Sequence, residues 1–276
     1  MTFILPHDLL MKEEKLRTNL RHLISSTFPR VLVAFSGGVD SSLLLWECVQ
    51  ALTPEAVMAV TAISATSIPR ESEEASRFAG DLNVLHITIS TSECESPEFL
   101  ANPPDRCYVC KRIRYERLTN LARSFRAAAV LDGTQANDDP RDRAGMRALS
   151  ELRIHTPLAD VGIGKKEVRL LLRAAGFDSL SEKPPQPCLA TRIPTGAPIT
   201  VEALRRVAAG EALLQKEGLS LVRLRDHFPL ARIVTDNQGI ERILNNEAVR
   251  ERIVEGLKRL GFVHVTLELE AYPYTP

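Results

Sequence analysis

The sequence predicts an α/β fold, a doubly wound parallel sheet followed by a smaller C-terminal α+β domain. Two observations carry that expectation. Short apolar runs alternate with helical patterns over the first two thirds of the chain, the order that lays helices over both faces of a parallel sheet. The stretch FDSLSEKPPQPCLATRIPTGAPIT, residues 177–200, then breaks the alternation with five prolines. Prolines on this scale exclude regular helix and inner strand, so an ordered loop or linker is expected there, with domains at 1–185 and 186–276.

The elements follow in order. Residues 31–35 read as a short buried strand, and the apolar residues after Ser42 crowd too densely for a surface helix, which places a buried helix at about 41–52. Further strands are expected at 56–63, 84–89 and 128–131, with helices near 71–82 and 111–125 between them. Beyond the prolines come a helix at 201–217, strand-like runs at 219–225 and 231–235, a helix at about 246–260 and a last strand at 263–269. Ligands of a parallel sheet sit at the carboxyl ends of its strands. Residues 36–41, 61–67 and 132–139 would gather there.

Between the first strand and its helix lies Ser36-Gly37-Gly38-Val39-Asp40-Ser41. Adjacent glycines turn the backbone sharply and bring its N–H groups close to a ligand, while the next helix aims the positive end of its dipole at the same place. That is an anion cradle. It lacks the Gly-Lys-Ser/Thr of the ATPase loop and the Gly-x-Gly-x-x-Gly of the dinucleotide fingerprint. Its spelling resembles the pyrophosphate loop of the N-type ATP pyrophosphatases, which cleave ATP between its α and β phosphates.

Cys107 and Cys110 form a Cys-x-x-Cys turn at the entrance of a basic helix, where the dipole with Arg106, Lys111 and Arg112 favours the thiolate. Metal ligation, dithiol redox chemistry and no use at all compete as readings. A zinc ribbon would need a second such pair, which the chain lacks. Cys188 lies in the polar, proline-flanked PQPCLATR beside Arg192, the setting of a functional thiol. Cys48 reads as core. Cys94, in the acidic loop 93–98, reads as a solvated bystander.

After the strand at 128–131, Gly133 and the carboxylates Asp138, Asp139 and Asp142 form a turn that suits Mg²⁺ or substrate, with Arg141 and Arg143 available to an anion; a solvated turn with internal ion pairs explains them equally. Arg223 and Arg225 share one face of a strand. They either bind phosphate or carboxylate or pair with Glu211 or Asp226.

Lysine and arginine total 35, as do aspartate and glutamate. That balance argues against a nucleic-acid partner held by a global field. No apolar stretch approaches the roughly 18 residues that cross a bilayer, and the N-terminus has no secretory pattern, so no membrane partner and a cytoplasmic location are expected. Five cysteines in a chain of this length do not make a disulfide framework.

Together the stretches SGGVDSSLL, NPPDRCYVCK, DGTQANDD, TPL at 156–158, KKEVR, KP-x-x-PCLATRIP-x-G-x-x-IT and VRLRDHFPLARI resemble the LarE-type sulfur transferases, which build the nickel-pincer cofactor of lactate racemase. The resemblance spans nearly the whole chain and implies an adenine nucleotide alpha hydrolase-like fold. It implies an enzyme that adenylylates one carboxylate of a pyridinium-3,5-biscarboxylate mononucleotide with ATP and Mg²⁺, then lets sulfur displace AMP to leave a thiocarboxylate. ATP is expected on Ser36, Gly37, Gly38, Asp40 and Ser41, with Asp40 placing Mg²⁺, Ser67 toward the adenosine end and Gly133 close by. The substrate is expected between the domains, its phosphate met by Arg192, Arg223 and Arg225.

The family divides by sulfur source. One type sacrifices a single cysteine; the other carries a [4Fe-4S] cluster on three, and the presence of Cys107, Cys110 and Cys188 matches the latter. A homo-oligomer and a sulfide or persulfide donor are implied as partners. The chain departs from the family pattern at Ala231-Arg232-Ile233-Val234, where glutamate is expected last, and at the tail Ala271-Tyr272-Pro273-Tyr274. Rival readings are a tRNA 2-thiolation enzyme, an amidating ligase of the NAD-synthetase kind and a nucleotide sensor without catalysis.

Overall fold

The computed structural model describes residues 7–138 and 143–272. The chain divides into two compact units, the first built from Met1–Ser64, Pro69–Glu93 and Asp105–Pro185, the second from Ala65–Ile68, Cys94–Pro104 and Gln186–Pro276.

The first unit holds a four-stranded sheet of β1 (Val31–Ala34), β2 (Val57–Ile63), β3 (Leu85–Ser90) and β4 (Ala129–Leu131). All pairings are parallel, in the order β3-β2-β1-β4. Side chains alternate across the pleat, so Val31 and Val33 pack with Leu20, Leu44 and Leu171 on one face. Leu32 packs with Tyr115, Leu118 and Leu149 on the other. Helices therefore cover both faces, and the fold is doubly wound. The strand order reverses at β1, which has β2 on one side and β4 on the other; such a switch point opens a crevice at the strand ends.

Some elements differ from expectation. The helix His7–Thr27 is absent from the sequence-based expectation; Leu20 and Ile24, one turn apart, are fully buried in the core. Helices Arg143–Glu151, Lys165–Ala174 and Asn237–Asn245 are also additional. The proline stretch is not free of helix: a turn at Asp178–Ser181 and a 3-10 turn at Leu189–Arg192 interrupt it. The five prolines fall outside both turns, so neither loses a hydrogen bond to them.

The second unit carries a three-stranded sheet, β5 (Val222–His227) antiparallel to β6 (Leu230–Thr235), and β6 parallel to β7 (His264–Leu267). One face packs Val222, Leu224, Ala231 and Ile233 with Leu214, Ile253 and Leu257 of its helices. Three helices of this unit start on a capping side chain: Thr200, Asp236 and Asn246 accept from the amides of Ala203, Gly239 and Val249. Two earlier segments complete this unit. Leu189 N–H donates to the Thr66 carbonyl at 2.9 Å, and buried Asn102 donates from its side chain to the Pro194 and Ala197 carbonyls, both at 2.8 Å. Among the described residues no helix is long and apolar enough to cross a membrane.

Candidate functional site

β1 delivers the chain into Ser36-Gly37-Gly38, and the helix Val39–Ala51 starts directly afterwards. Gly37 has φ +72°, and a Cβ there would stand 3.0 Å from the Ala75 Cβ and 3.3 Å from the Glu71 carbonyl oxygen. Glycine alone suits the turn. The Ser36 and Ser41 hydroxyls lie 3.1 Å apart, and Ser41 Oγ donates to the Gly38 carbonyl at 3.2 Å, which closes the loop. Gly133 is demanded by close approach: a Cβ would lie 2.9 Å from Ser41 N and 3.0 Å from its Cα. The turn after β4 thus presses on the first turn of the loop's helix, at the switch point.

Two lysines from late in the chain reach this loop. Lys165 donates to both Asp40 carboxylate oxygens, at 2.8 and 2.6 Å. Lys183 donates to the Gly37 carbonyl at 3.1 Å and to Glu74 at 2.9 Å. Burial raises the Asp40 carboxyl above its ordinary range, with Lys165 pulling the other way and Asp138 adding to the rise. Both lysines stand in the stretches KKEVR and KP-x-x-P, where sequence reasoning gave them no role. The available signal was a phosphate loop with no lysine of its own.

Among the described residues, the carboxylates after β4 are held by near neighbours and by Tyr115. Asp138 accepts from the Gln135 amide at 3.0 Å and from its side chain at 2.8 Å. Asp132 accepts from the Thr134 amide at 2.8 Å, from the Thr134 hydroxyl and from the Tyr115 hydroxyl. Burial first, and Asp132 second, push the Tyr115 hydroxyl well above its usual pKa. Asp139, Arg141, Asp142 and the side chain of Arg143 lie outside the described residues.

The run 61–67 is divided between the two units. Thr61 lies inside β2, where its hydroxyl donates to the Phe35 carbonyl at 2.7 Å and meets His86 Nε2 at 2.8 Å. Ser67 belongs to the second unit, because the chain leaves the first after Ser64.

Cys107 is exposed and Cys110 half-buried in the first turn of the helix Arg106–Phe125. Cys188 is half-buried at the N-cap of its 3-10 turn, and its carbonyl accepts from the Thr191 amide at 3.0 Å and from Arg192 at 3.2 Å. Cys107 and Cys110 belong to the first unit and Cys188 to the second. Among the described residues no group of three or more His, Cys, Asp or Glu side chains is gathered as a metal site. Cys48 is buried in the core, and burial pushes its thiol well up. Cys94 is half-buried rather than solvated, and its neighbour Glu93 is fully buried against Arg114.

The arginines divide. Arg192 is only 1% exposed and makes a paired bond to Glu211, at 2.8 and 3.0 Å, with further bonds to the Pro187 and Cys188 carbonyls. Through these bonds it shapes the Cys188 loop. Of the suggested partners, Glu211 is engaged by Arg192 and Asp226 by Arg206 at 2.8 Å, while Arg223 donates to the Val222 carbonyl at 2.9 Å and Arg225 to the Thr191 carbonyl at 2.8 Å. Arg225 instead stands directly opposite Arg232 across β5 and β6, and Arg223 opposite Val234. Like charges opposed in this way destabilise a sheet. Burial first, and then neighbouring guanidiniums, lower the pKa of both Arg223 and Arg225. Arginines grouped on one face of a sheet suit a phosphate or carboxylate ligand.

The parallel sheet and the glycine loop at its switch point fit an ATP-using enzyme of the ligase or transferase kind, and the comparisons with known proteins show that class. A family model described as NAD synthase matches residues 13–126, a stretch that includes the loop. Over nearly the full length, the chain is 38% identical to an uncharacterised protein of Synechocystis sp., covering 95% of this chain and 96% of that one. It is 31% identical to an uncharacterised protein of Methanocaldococcus jannaschii over 95% and 98%. It is 33% identical to the pyridinium-3,5-bisthiocarboxylic acid mononucleotide synthase of Lactiplantibacillus plantarum, over 88% of this chain and 87% of that protein. The chain belongs to the LarE family of that synthase.

Proposed function

We propose that this chain is an ATP-dependent sulfur transferase that converts a carboxylate of a pyridinium biscarboxylate mononucleotide to a thiocarboxylate. The observation that carries the reading is the Ser36-Gly37-Gly38 loop at the switch point of a chain so similar to a bisthiocarboxylic acid mononucleotide synthase. A substrate carboxylate oxygen attacks the α-phosphorus and pyrophosphate leaves. A sulfur nucleophile then attacks the acyl carbon and AMP departs with the carboxylate oxygen. Activation is needed because a bare carboxylate would have to expel oxide, whereas an acyl adenylate has a leaving group that cations stabilise.

Residues 1–185 are assigned the ATP chemistry and residues 186–276 the substrate and sulfur contacts. Ser36, Gly37, Gly38 and Ser41 donate to the phosphates. Asp40, whose carboxylate is 29% exposed, fits a Mg²⁺ ion held by one carboxylate and substrate phosphates, and the ion would neutralise phosphate charge. Arg223 and Arg225 bind the anionic groups of the mononucleotide.

Sulfur delivery is assigned to a [4Fe-4S] cluster on Cys107, Cys110 and Cys188. Thiolates are the donors such clusters take, so Cys107, Cys110 and Cys188 would hold the group, and when bound it would supply sulfur to the activated carboxylate.

An amidating reaction is the second reading, favoured by the NAD synthase match over residues 13–126. One assay separates them: pyrophosphate and AMP release with a carboxylated pyridine mononucleotide, supplied with sulfide or with ammonia under anaerobic conditions. Sulfide-dependent thiocarboxylate is expected. Amide formed from ammonia would establish the second reading, and ADP in place of AMP would remove both. A loss of one sulfur from the protein after a single turnover would make Cys188 the sacrificial donor instead of a cluster ligand.

A further inference from the structure

The phosphate loop has no lysine, yet a triphosphate brings several negative charges, and helix amides answer them with partial charge only. Lys165 and Lys183 bring full charges to the loop from 125 and 146 residues downstream of the atoms they contact. The two are mechanically connected. Arg169, one turn into the helix that Lys165 begins, donates to the Ser181 and Lys183 carbonyls and so fixes the segment that carries Lys183. Lys183 is also tightly enclosed, with only 16% of its side chain exposed. An ammonium held there on the Gly37 carbonyl stands at the first glycine of the loop.

We propose that Lys165 and Lys183 are the triphosphate-binding cations of this site. Without nucleotide they rest on Asp40 and on the Gly37 carbonyl with Glu74; when ATP binds, their ammonium groups exchange onto phosphate oxygens beyond the α-phosphate. The inference rests on the ATP reading above. It has a consequence for Asp40, since Lys165 occupies both of its oxygens. That carboxylate becomes available to Mg²⁺ only after Lys165 has moved, so metal and nucleotide bind as a linked pair, each tightening the other.

The test is equilibrium binding of ATP and AMP to the full chain, with and without Mg²⁺, by calorimetry and by fluorescence of Trp46, the single tryptophan, which lies in the loop's helix. Lys165→Met and Lys183→Met are each expected to weaken ATP by roughly 10- to 100-fold, the range of a charged hydrogen bond, and to leave AMP affinity unchanged. Mg²⁺ should tighten ATP binding in the wild type and much less in Lys165→Met. Unchanged ATP affinity in both variants overturns the proposal. So does an equal loss for ATP and AMP, which would mark a distorted loop. A wild-type chain that binds no ATP overturns the ATP reading itself, an outcome distinct from either. Should a variant fail to fold, amine acylation of the wild type read by peptide mass spectrometry decides: ATP with Mg²⁺, but not AMP, is expected to suppress labelling of both lysines, and unaltered labelling overturns the assignment.

Discussion

Arg192 shows how a residue chosen for its chemistry can serve packing. Its guanidinium is fully buried, and Glu211 meets it through both carboxylate oxygens while also accepting from the Leu224 amide at 2.9 Å. One charge pair therefore joins the Cys188 loop to β5. Glu211→Leu should cost about 3–5 kcal/mol, because it strands a buried cation and an amide. Replacing the pair together, Arg192→Met with Glu211→Leu, should cost less than the single change; urea denaturation of both variants measures the difference. Equal stability of wild type and Glu211→Leu would show that the pair contributes nothing. Nothing in the local sequence separates Arg192 from Arg223 and Arg225, since all three are arginines in polar surroundings. Only the position of Glu211 on a neighbouring helix does.

At the scale of elements, the Glu93–Arg114 pair ties the segment after β3 to the helix Arg106–Phe125, with Ser64 after β2 donating to the same carboxylate at 2.6 Å. Burial works to raise the Glu93 pKa, but the Arg114 charge and the bonds from Ser64, Thr91 and Arg114 outweigh it, and the net direction is down from 4.5. A depressed carboxyl adds stability that is fully present above its unfolded pKa and is lost as pH falls through the folded one. The wild type should therefore lose stability in acid below about pH 4.5. Glu93→Gln should be less stable by about 1.5–3 kcal/mol at neutral pH and lose less on acidification; thermal melts from pH 3 to 7 check both. The four parallel strands were legible to within a residue or so, because short apolar runs separated by helical patterns fit little besides a parallel sheet with crossover helices. The glycines of the loop were legible for the same local reason. Lys165, Lys183 and the burial of Glu93 were not, since each depends on a partner supplied by another part of the fold. The proline stretch misled in one respect: proline excludes helix where it stands, but the turn at Asp178–Ser181 precedes the first proline and the turn at Leu189–Arg192 lies between Pro187 and Pro194.

For the whole molecule, equal totals of 35 cationic and 35 anionic residues conceal local imbalance, and the opposed Arg225 and Arg232 illustrate it. The chain also passes between its two units after residues 64, 68, 93, 104 and 185. Residues 186–276 expressed alone would lack the Thr66 carbonyl that accepts from Leu189, the Leu100 carbonyl that accepts from Ile199, and Asn102. That fragment should show little cooperative unfolding, and adding residues 1–185 in trans should restore it; a sharp independent melt of the fragment would contradict this. The same interleaving sets a timetable during synthesis. Asn102 leaves the ribosome well before Pro194 and Ala197, the two residues whose carbonyls it binds from 92 and 95 positions away. At 5–20 residues per second the wait is roughly 5–20 s. For that interval the polar side chain destined for a fully buried place lacks these two carbonyls, and the second unit cannot close until the C-terminal third of the chain has been made.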